Sequence, residues 1–209
     1  MNTLFNDTDL FSSGTLRIHS YEIPDAELRL FEHFFPREEA DAFYNTLLEE
    51  TPWKQETIVI HNKALLTPRL TAWYGQRRSG REPLPLTGAL LSIKKKVEEA
   101  VKTEFSSVLL NFYRDGQDSV AWHRDIDREF GPKPVIASVS FGETRPFQIR
   151  HKFRTDLERI EVPLNHGSLL LMGGPMQHFW EHRIPKTTKP IKPRINLTFR
   201  LIAQNTMGK

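Results

Sequence analysis

The segment Ala121–Gly131, AWHRDIDREFG, places His123 and Asp125 two positions apart, with a further acid at Asp127. In an extended chain residues i and i+2 project from one face. A neutral imidazole and a carboxylate so placed can grip one divalent ion. A third ligand must come from elsewhere, and His151, His166, His178 and His182 are the candidates. Two histidines and one carboxylate on one face of an octahedron leave the remaining positions open, as in non-haem Fe(II) oxygenases. A His-x-Asp pair alone is a weak signal. The competing reading is a charged loop in which His123 caps a turn and Asp125 pairs with Arg124 or Arg128.

A second constellation lies near the end of the chain. RINLTFR alternates strictly, so Ile195, Leu197 and Phe199 face one way and Arg194, Asn196, Thr198 and Arg200 the other. The two arginines are separated by roughly 20 Å of backbone at about 3.3 Å per residue. Side chains leaning toward each other could close on one small dianion between them, since a guanidinium fork matches a carboxylate bidentately. The plainer expectation is a polar strand face that meets water. Asn111 and Tyr113 likewise share a face and offer neutral hydrogen bonds, while Phe112 points to the core.

Elements that would position these groups can be read from periodicity. PREEADAFYNTLLEE (Pro36–Glu50) predicts a helix, with Pro36 at its start, Glu38 and Glu39 in its first turn and an apolar stripe behind them. GALLSIKKKVEEAVK predicts a second, with Leu90, Ile93, Val97 and Val101 on one face. From about Val108 short apolar or alternating runs separated by turn residues replace that pattern: VLLNFY, VIASVSFG, RPFQIRHK, IEVPL, GSLLLMGG and RINLTFRLI. The expected fold is mainly β with helical support on one side, a sandwich or jelly roll.

Composition bounds the rest. A chain of 209 residues, 38% hydrophobic and 26% charged, fits one domain or one core with an extension. It has no apolar run of the roughly 18 residues that a membrane span needs, and its first residues, MNTLFNDTDLFSSG, do not resemble a secretory signal. The absence of cysteine excludes disulfides, thiolate metal sites and a cysteine nucleophile, and is compatible with a cytoplasmic location. Net charge is only +3, yet basic residues cluster in Arg69–Arg81, Lys94–Lys96, Arg150–Arg154 and Lys186–Arg194. Such clusters beside aromatics can follow a phosphate backbone, or can simply be solvated faces.

The order NFYRDG, WHRDID, ASVSFG, FQIRHK, HGSLLLMGG, FWEHRIP, PRINLTFR resembles the AlkB family of Fe(II)- and 2-oxoglutarate-dependent dioxygenases, nearest to its DNA-repair members. The match covers about Val108–Ile202, and TPRLTAWYG (Thr67–Gly75) resembles the family's substrate lid. The resemblance implies a double-stranded β-helix (jelly roll) core at 108–202, helical support and lid at 21–107, and an N-terminal extension at 1–20, forming one dioxygenase domain. It assigns His123, Asp125 and His182, rather than His178, as ligands of Fe(II). It gives Arg194, helped by Tyr113, to the distal carboxylate of 2-oxoglutarate. Asn111, Thr198 and Arg200 then support the iron-chelating end, with Asn196 on the same strand face. Oxygen is the second cosubstrate.

For substrate, the resemblance points to Trp73 and Tyr74 as lid residues that stack on a base, to Asp127 as a reader of the base's amino group, and to Arg150, His151 and Lys152 on the nucleic-acid side. Core packing is the competing reading for the two aromatics, and a solvated or supporting acid for Asp127. The implied reaction is oxidative demethylation of 1-methyladenine and 3-methylcytosine types in alkylated DNA, or RNA, by a monomeric enzyme with no membrane attachment. Two departures set this chain apart. QRRSGREPLPLTG follows WYG where repair members carry a Tyr-rich strand, and Ile126 stands where some relatives have an acid. The same chemistry on a protein or small molecule, and a non-catalytic nucleic-acid-binding module, are the alternatives.

Overall fold

The computed structural model describes residues 16–60, 63–77 and 82–202. Residues 1–15 of the expected extension and 78–81 of the basic stretch after Gly75 lie outside the described residues. Two antiparallel sheets face each other. The larger contains seven strands in the order β1 (Arg17–Tyr21), β2 (Glu27–Glu32), β11 (Ser168–Gly173), β8 (Ile136–Gly142), β13 (Arg194–Arg200), β6 (Ser107–Tyr113) and β5 (Leu70–Gly75). The smaller contains four, in the order β10 (Ile160–Leu164), β9 (Arg145–His151), β12 (Trp180–Ile184) and β7 (Val120–His123). A separate two-stranded ribbon pairs β3 (Thr57–Ile60) with β4 (Lys63–Leu66). No helix of the described residues is long and apolar enough to cross a membrane.

The expected jelly roll is present, and its layers follow from strand alternation. Leu30, Ile136, Phe147, Ile149, Leu164, Leu170 and Trp180 fill the space between the sheets. On the outer face of the larger sheet, Val108, Leu110, Val139, Phe141, Ile195, Leu197 and Phe199 meet Ala40 and Leu47 of α1 (Arg37–Glu50) and Leu90, Ile93 and Val97 of α2 (Gly88–Val101). Both helices lie where periodicity places them. The Thr87 hydroxyl caps α2 by accepting from the Leu90 N–H, and Lys102 ends it in the left-handed region at φ 54°. α1 is entered from Pro36 and carries Glu38 and Glu39 in its first turn.

The expected division between a supporting half at 21–107 and a core at 108–202 does not match the sheet. Strands β1 and β2 form one edge of the larger sheet and β5 the other. Without them, the open edges of β11 and β6 would present unpaired backbone donors and acceptors. In ELRLFE, Leu28 and Leu30 enter the space between the sheets and Phe31 enters the helix-facing core, while Glu27 and Arg29 stay exposed.

β13 is the element on which the two cores meet. It pairs with β8 on one side and β6 on the other, so Arg194 lies opposite Tyr113 and Gly142, and Asn196 opposite Asn111 and Ser140. All seven of its residues are buried. The polar face does not meet water as a sandwich strand ordinarily would, because the smaller sheet covers it. Gly142, at φ 88°, closes β8 against this point, and a Cβ there would stand 2.5 Å from the Pro193 carbonyl oxygen. Gly142→Ala is expected to lower stability by about 1–3 kcal/mol through that positive φ alone, measured by urea unfolding. An unchanged midpoint would show that the β8–β13 junction can absorb the side chain.

Candidate metal and cosubstrate site

His123 ends β7, and His182 lies directly opposite it on β12, with ring centroids 4.2 Å apart. Asp125 follows two residues later in an irregular stretch. One ligand atom from each of the three lies within 4.8 Å of the others, the only such histidine–carboxylate group among the described residues. His123 Nδ1 is bonded to the Ala121 carbonyl oxygen at 2.8 Å, which leaves Nε2 for the cluster, 4.0 Å from Asp125 Oδ1. Asp125 Oδ2 accepts from Arg200 Nη2 at 2.7 Å. The ring of His182 stacks on Phe147 at 5.1 Å. Of the four histidines open as third ligand, the structure brings only His182 to this pair.

Electrostatics prepare the cluster for a cation. Burial pushes His182 down to about 3, helped by His123 and opposed by Asp125, so the imidazole stays neutral. Burial alone would raise Asp125, but Arg200 and the two imidazoles outweigh it and hold the carboxyl below the ordinary carboxylate range. A neutral imidazole and an ionised carboxylate are the forms that coordinate metal.

Beside the cluster a cavity is lined by Tyr113, Ser138, Arg194, Asn196 and Thr198 with His123, Asp125 and His182. Arg194 is 1% exposed, and its Nη2 donates to Ser140 Oγ at 2.9 Å. Its Nε and Nη1 have no protein partner, and among the described residues no carboxylate pairs with it. Burial lowers it to about 10, so it remains charged at neutral pH. A buried, charged guanidinium with spare donors is the complement of a carboxylate. Tyr113 stands against it, with the ring centroid 5.1 Å from the guanidinium carbon. Asn196 Nδ2 donates to Ser138 Oγ and the Val139 carbonyl oxygen, and Thr198 donates to Asn196 Oδ1. Asn111 Oδ1 accepts from Arg69 Nε at 2.8 Å.

Of the two arginines of β13, Arg194 lines the cavity, while Arg200 does not and gives its Nη2 to Asp125. Sequence reasoning missed Ser138 and Ser140, although polar residues at i and i+2 of an otherwise apolar strand were a readable sign. It also missed Gln177 and Arg69, for which no local pattern exists.

Among the expected substrate residues, Trp73, Tyr74 and His151 are buried. Trp73 and Tyr74 lie on β5 and are 4% and 3% exposed. Trp73 packs with Phe130 and Ile202, and Tyr74 joins the helix-facing core. Neither offers a free face to a base, because β5 is a sheet strand and not a lid. His151 is buried against Trp180 and Phe179. Its Nδ1 accepts from the Phe153 and Arg154 N–H groups, and Nε2 meets Asp25, so it staples a loop. Asp127 Oδ1 accepts from the Glu129 N–H and caps the 3-10 turn Arg128–Phe130. Arg150 is exposed, pairs with Glu181 and lies 4.3 Å from the ring of Trp122. Trp122, which Arg159 and Arg183 also flank, is a half-exposed aromatic next to His123. Lys152 is exposed. His178 meets the Pro132 carbonyl oxygen, and His166 lies near α1 with Asp41.

Residues 27–200 match the 2OG-Fe(II) oxygenase superfamily. Among curated proteins, the chain is 41% identical over 192 residues to "Alpha-ketoglutarate-dependent dioxygenase alkB homolog 3" of Mus musculus, covering 86% of this chain and 67% of that one. It is 37% identical over 184 residues to "DNA oxidative demethylase ALKBH2" of Homo sapiens, covering 80% and 70%. The chain thus spans about two thirds of the length of these relatives. The solved structure of OsALKBH1 superposes with a TM-score of 0.63 over 90% of this chain and 100% of that one, at 16% identity, a likeness of fold.

Burial of the neutral His182 and pairing of the ionised Asp125 fix the sign of one pH effect. Between pH 6.5 and about 3 the unfolded chain protonates His182 while the folded chain does not. At lower pH the unfolded chain also protonates Asp125 first. In both windows the unfolded state binds more protons, so stability falls as pH falls. The urea midpoint of metal-free protein is expected to drop between pH 7 and pH 5, and His182→Gln to flatten that drop. An unchanged slope in the variant would remove His182 as its source.

Proposed function

The chain belongs to the 2OG-Fe(II) oxygenase superfamily and, within it, to the AlkB family, and on that footing we propose that it oxidatively demethylates alkylated nucleobases, of the 1-methyladenine and 3-methylcytosine type, in DNA. The family implies Fe(II), 2-oxoglutarate and O2. The observation that carries the reading is the juxtaposition of the His123–Asp125–His182 cluster with a buried Arg194 whose Nε and Nη1 lack protein partners. The donor set suits Fe(II), and the orphaned guanidinium suits a dicarboxylate.

Bound iron, with 2-oxoglutarate and O2, supplies the oxidation that hydroxylates an N-methyl carbon, which leaves as formaldehyde while the cosubstrate becomes succinate and CO2. The chain's own residues do the rest. His123, Asp125 and His182 would hold the metal. Arg194 with Tyr113 would bind the far carboxylate of 2-oxoglutarate, while Arg200, Asn111, Asn196 and Thr198 support the end near the metal. Arg200 also keeps Asp125 ionised and aimed. The apolar walls, Phe147 and Leu164 among them, exclude water. A base inside a duplex cannot reach this cavity and must be flipped out or presented on a single strand. The same reading takes the chain as a monomeric, single-domain enzyme of the cytoplasm.

The test is release of formaldehyde and succinate from a panel of methylated single- and double-stranded DNA and RNA oligonucleotides. Turnover on none of them, with iron bound, would sink the substrate assignment. Asp125→Ala is expected to abolish turnover while the thermal transition stays cooperative, and near-normal activity would overturn the ligand assignment. Arg194→Met is expected to weaken 2-oxoglutarate binding by about 100-fold, since hydrogen bonds to charged groups contribute roughly 1.5–3 kcal/mol each. Calorimetry against the wild type reads that change. Oligonucleotide affinity should weaken steeply with salt if phosphates dominate binding. A flat salt response would favour a protein or small-molecule substrate.

A further inference from the structure

Asp125 lies beyond the end of β7, in a stretch that belongs to no strand or helix. No sheet ladder fixes its backbone, yet its carboxylate must stand at a set distance from two imidazoles. A side chain from a remote part of the chain supplies the missing bond. Gln177, 1% exposed, accepts the Asp125 N–H on Oε1 at 2.9 Å across 52 residues of sequence. Gln177 Nε2 donates to Met172 Sδ at 3.7 Å, so both ends of the amide are engaged and its orientation is fixed.

The position of Gln177 matters as much as its bond. It sits on α3 (Met176–Phe179), the single helical turn that runs straight into β12 and His182. Two further contacts join the same segments. Arg124 Nη1 donates to the His178 carbonyl oxygen at 3.1 Å, and His178 Nε2 meets the Pro132 carbonyl oxygen. The loop that carries Asp125 is thereby bound to the turn that precedes His182. A buried amide is costly unless hydrogen-bonded, and an aliphatic side chain would fill this space without that cost.

We propose that Gln177 is a positioning residue of the metal site. Through the Asp125 N–H it sets the backbone from which the carboxylate reaches the metal, and through α3 it ties that carboxylate to the His182 arm. Arg200 holds Oδ2, and Oδ1 stands 4.0 Å from His123 Nε2. The inference rests on the metal-site reading above and concerns only how Asp125 is held.

Mn(II) binding to the full chain, followed by the electron paramagnetic resonance of free Mn(II), reads the effect without turnover. Gln177→Leu removes the acceptor at similar size and is expected to raise the Mn(II) Kd about 10- to 100-fold, the usual effect of losing a partner that orients a metal ligand. Gln177→Glu keeps an oxygen acceptor at the same reach and is expected to bind Mn(II) close to the wild type. A cooperatively folded Gln177→Leu protein that binds Mn(II) as the wild type does would overturn the inference, as would a Gln177→Glu protein as weak as Gln177→Leu. Hydrogen exchange of the Asp125 amide in the wild type decides the matter if Gln177→Leu does not fold. Slow exchange supports the bond to Gln177, and exchange as fast as in an exposed loop overturns it. A wild-type chain that binds no Mn(II) would instead refute the metal site itself.

Discussion

β13 is apolar on one face only but buried on both, and the polar groups on its covered face must find partners inside the protein. Each does. Arg194 reaches Ser140, Asn196 reaches Ser138 and the Val139 carbonyl, Thr198 reaches Asn196, and Arg200 reaches Asp125. The last bond joins the core to the candidate metal cluster. Removing one partner from a buried ion pair typically costs about 3–5 kcal/mol, because the other charge is left uncompensated. Arg200 and Asp125 therefore hold each other's geometry. The groups proposed to bind cosubstrate and those proposed to bind metal are neighbours because they meet on one covered strand face, where Arg194 and Arg200 keep spare donors.

Much of this was legible in the sequence because it follows from period-two alternation. The two faces of β13, the shared face of Asn111 and Tyr113, and the pairing of His123 with Asp125 all lie within single strands or their ends. Both helices were legible for the same local reason, from an apolar stripe and a plausible start. The distal histidine was not. Residue spacing left His151, His166, His178 and His182 equivalent, and only the family resemblance separated them before the β7–β12 register did.

Other misreadings have a common cause. Trp73 and Tyr74 sit in a segment that looks like a lid, but an aromatic strand beside an unpaired sheet edge is buried by pairing, and β5 completes the larger sheet against β6. His151 carries the bonding capacity of a ligand, but three aromatic neighbours and two backbone N–H groups use it for structure. The charge clusters do not reveal that Arg150, Arg159 and Arg183 converge on Trp122 from different parts of the chain. Contacts that depend on tertiary register have no local signature, and Gln177 is the plainest instance.

The long sequence separations across the cluster bear on how the protein is made. Asp125 and Arg200 are 75 residues apart, and Asp125 and Gln177 are 52. Closing such loops costs entropy before any contact repays it, so non-local β pairing is slow to form. A chain still emerging from the ribosome holds His123 and Asp125 long before it holds the strand whose Arg200 pairs with Asp125. It offers a metal ion two loosely tethered groups rather than a chelate. The three groups of the candidate cluster and their arginine partner are thus brought together only by the finished jelly roll, once β7, β12 and β13 have all paired.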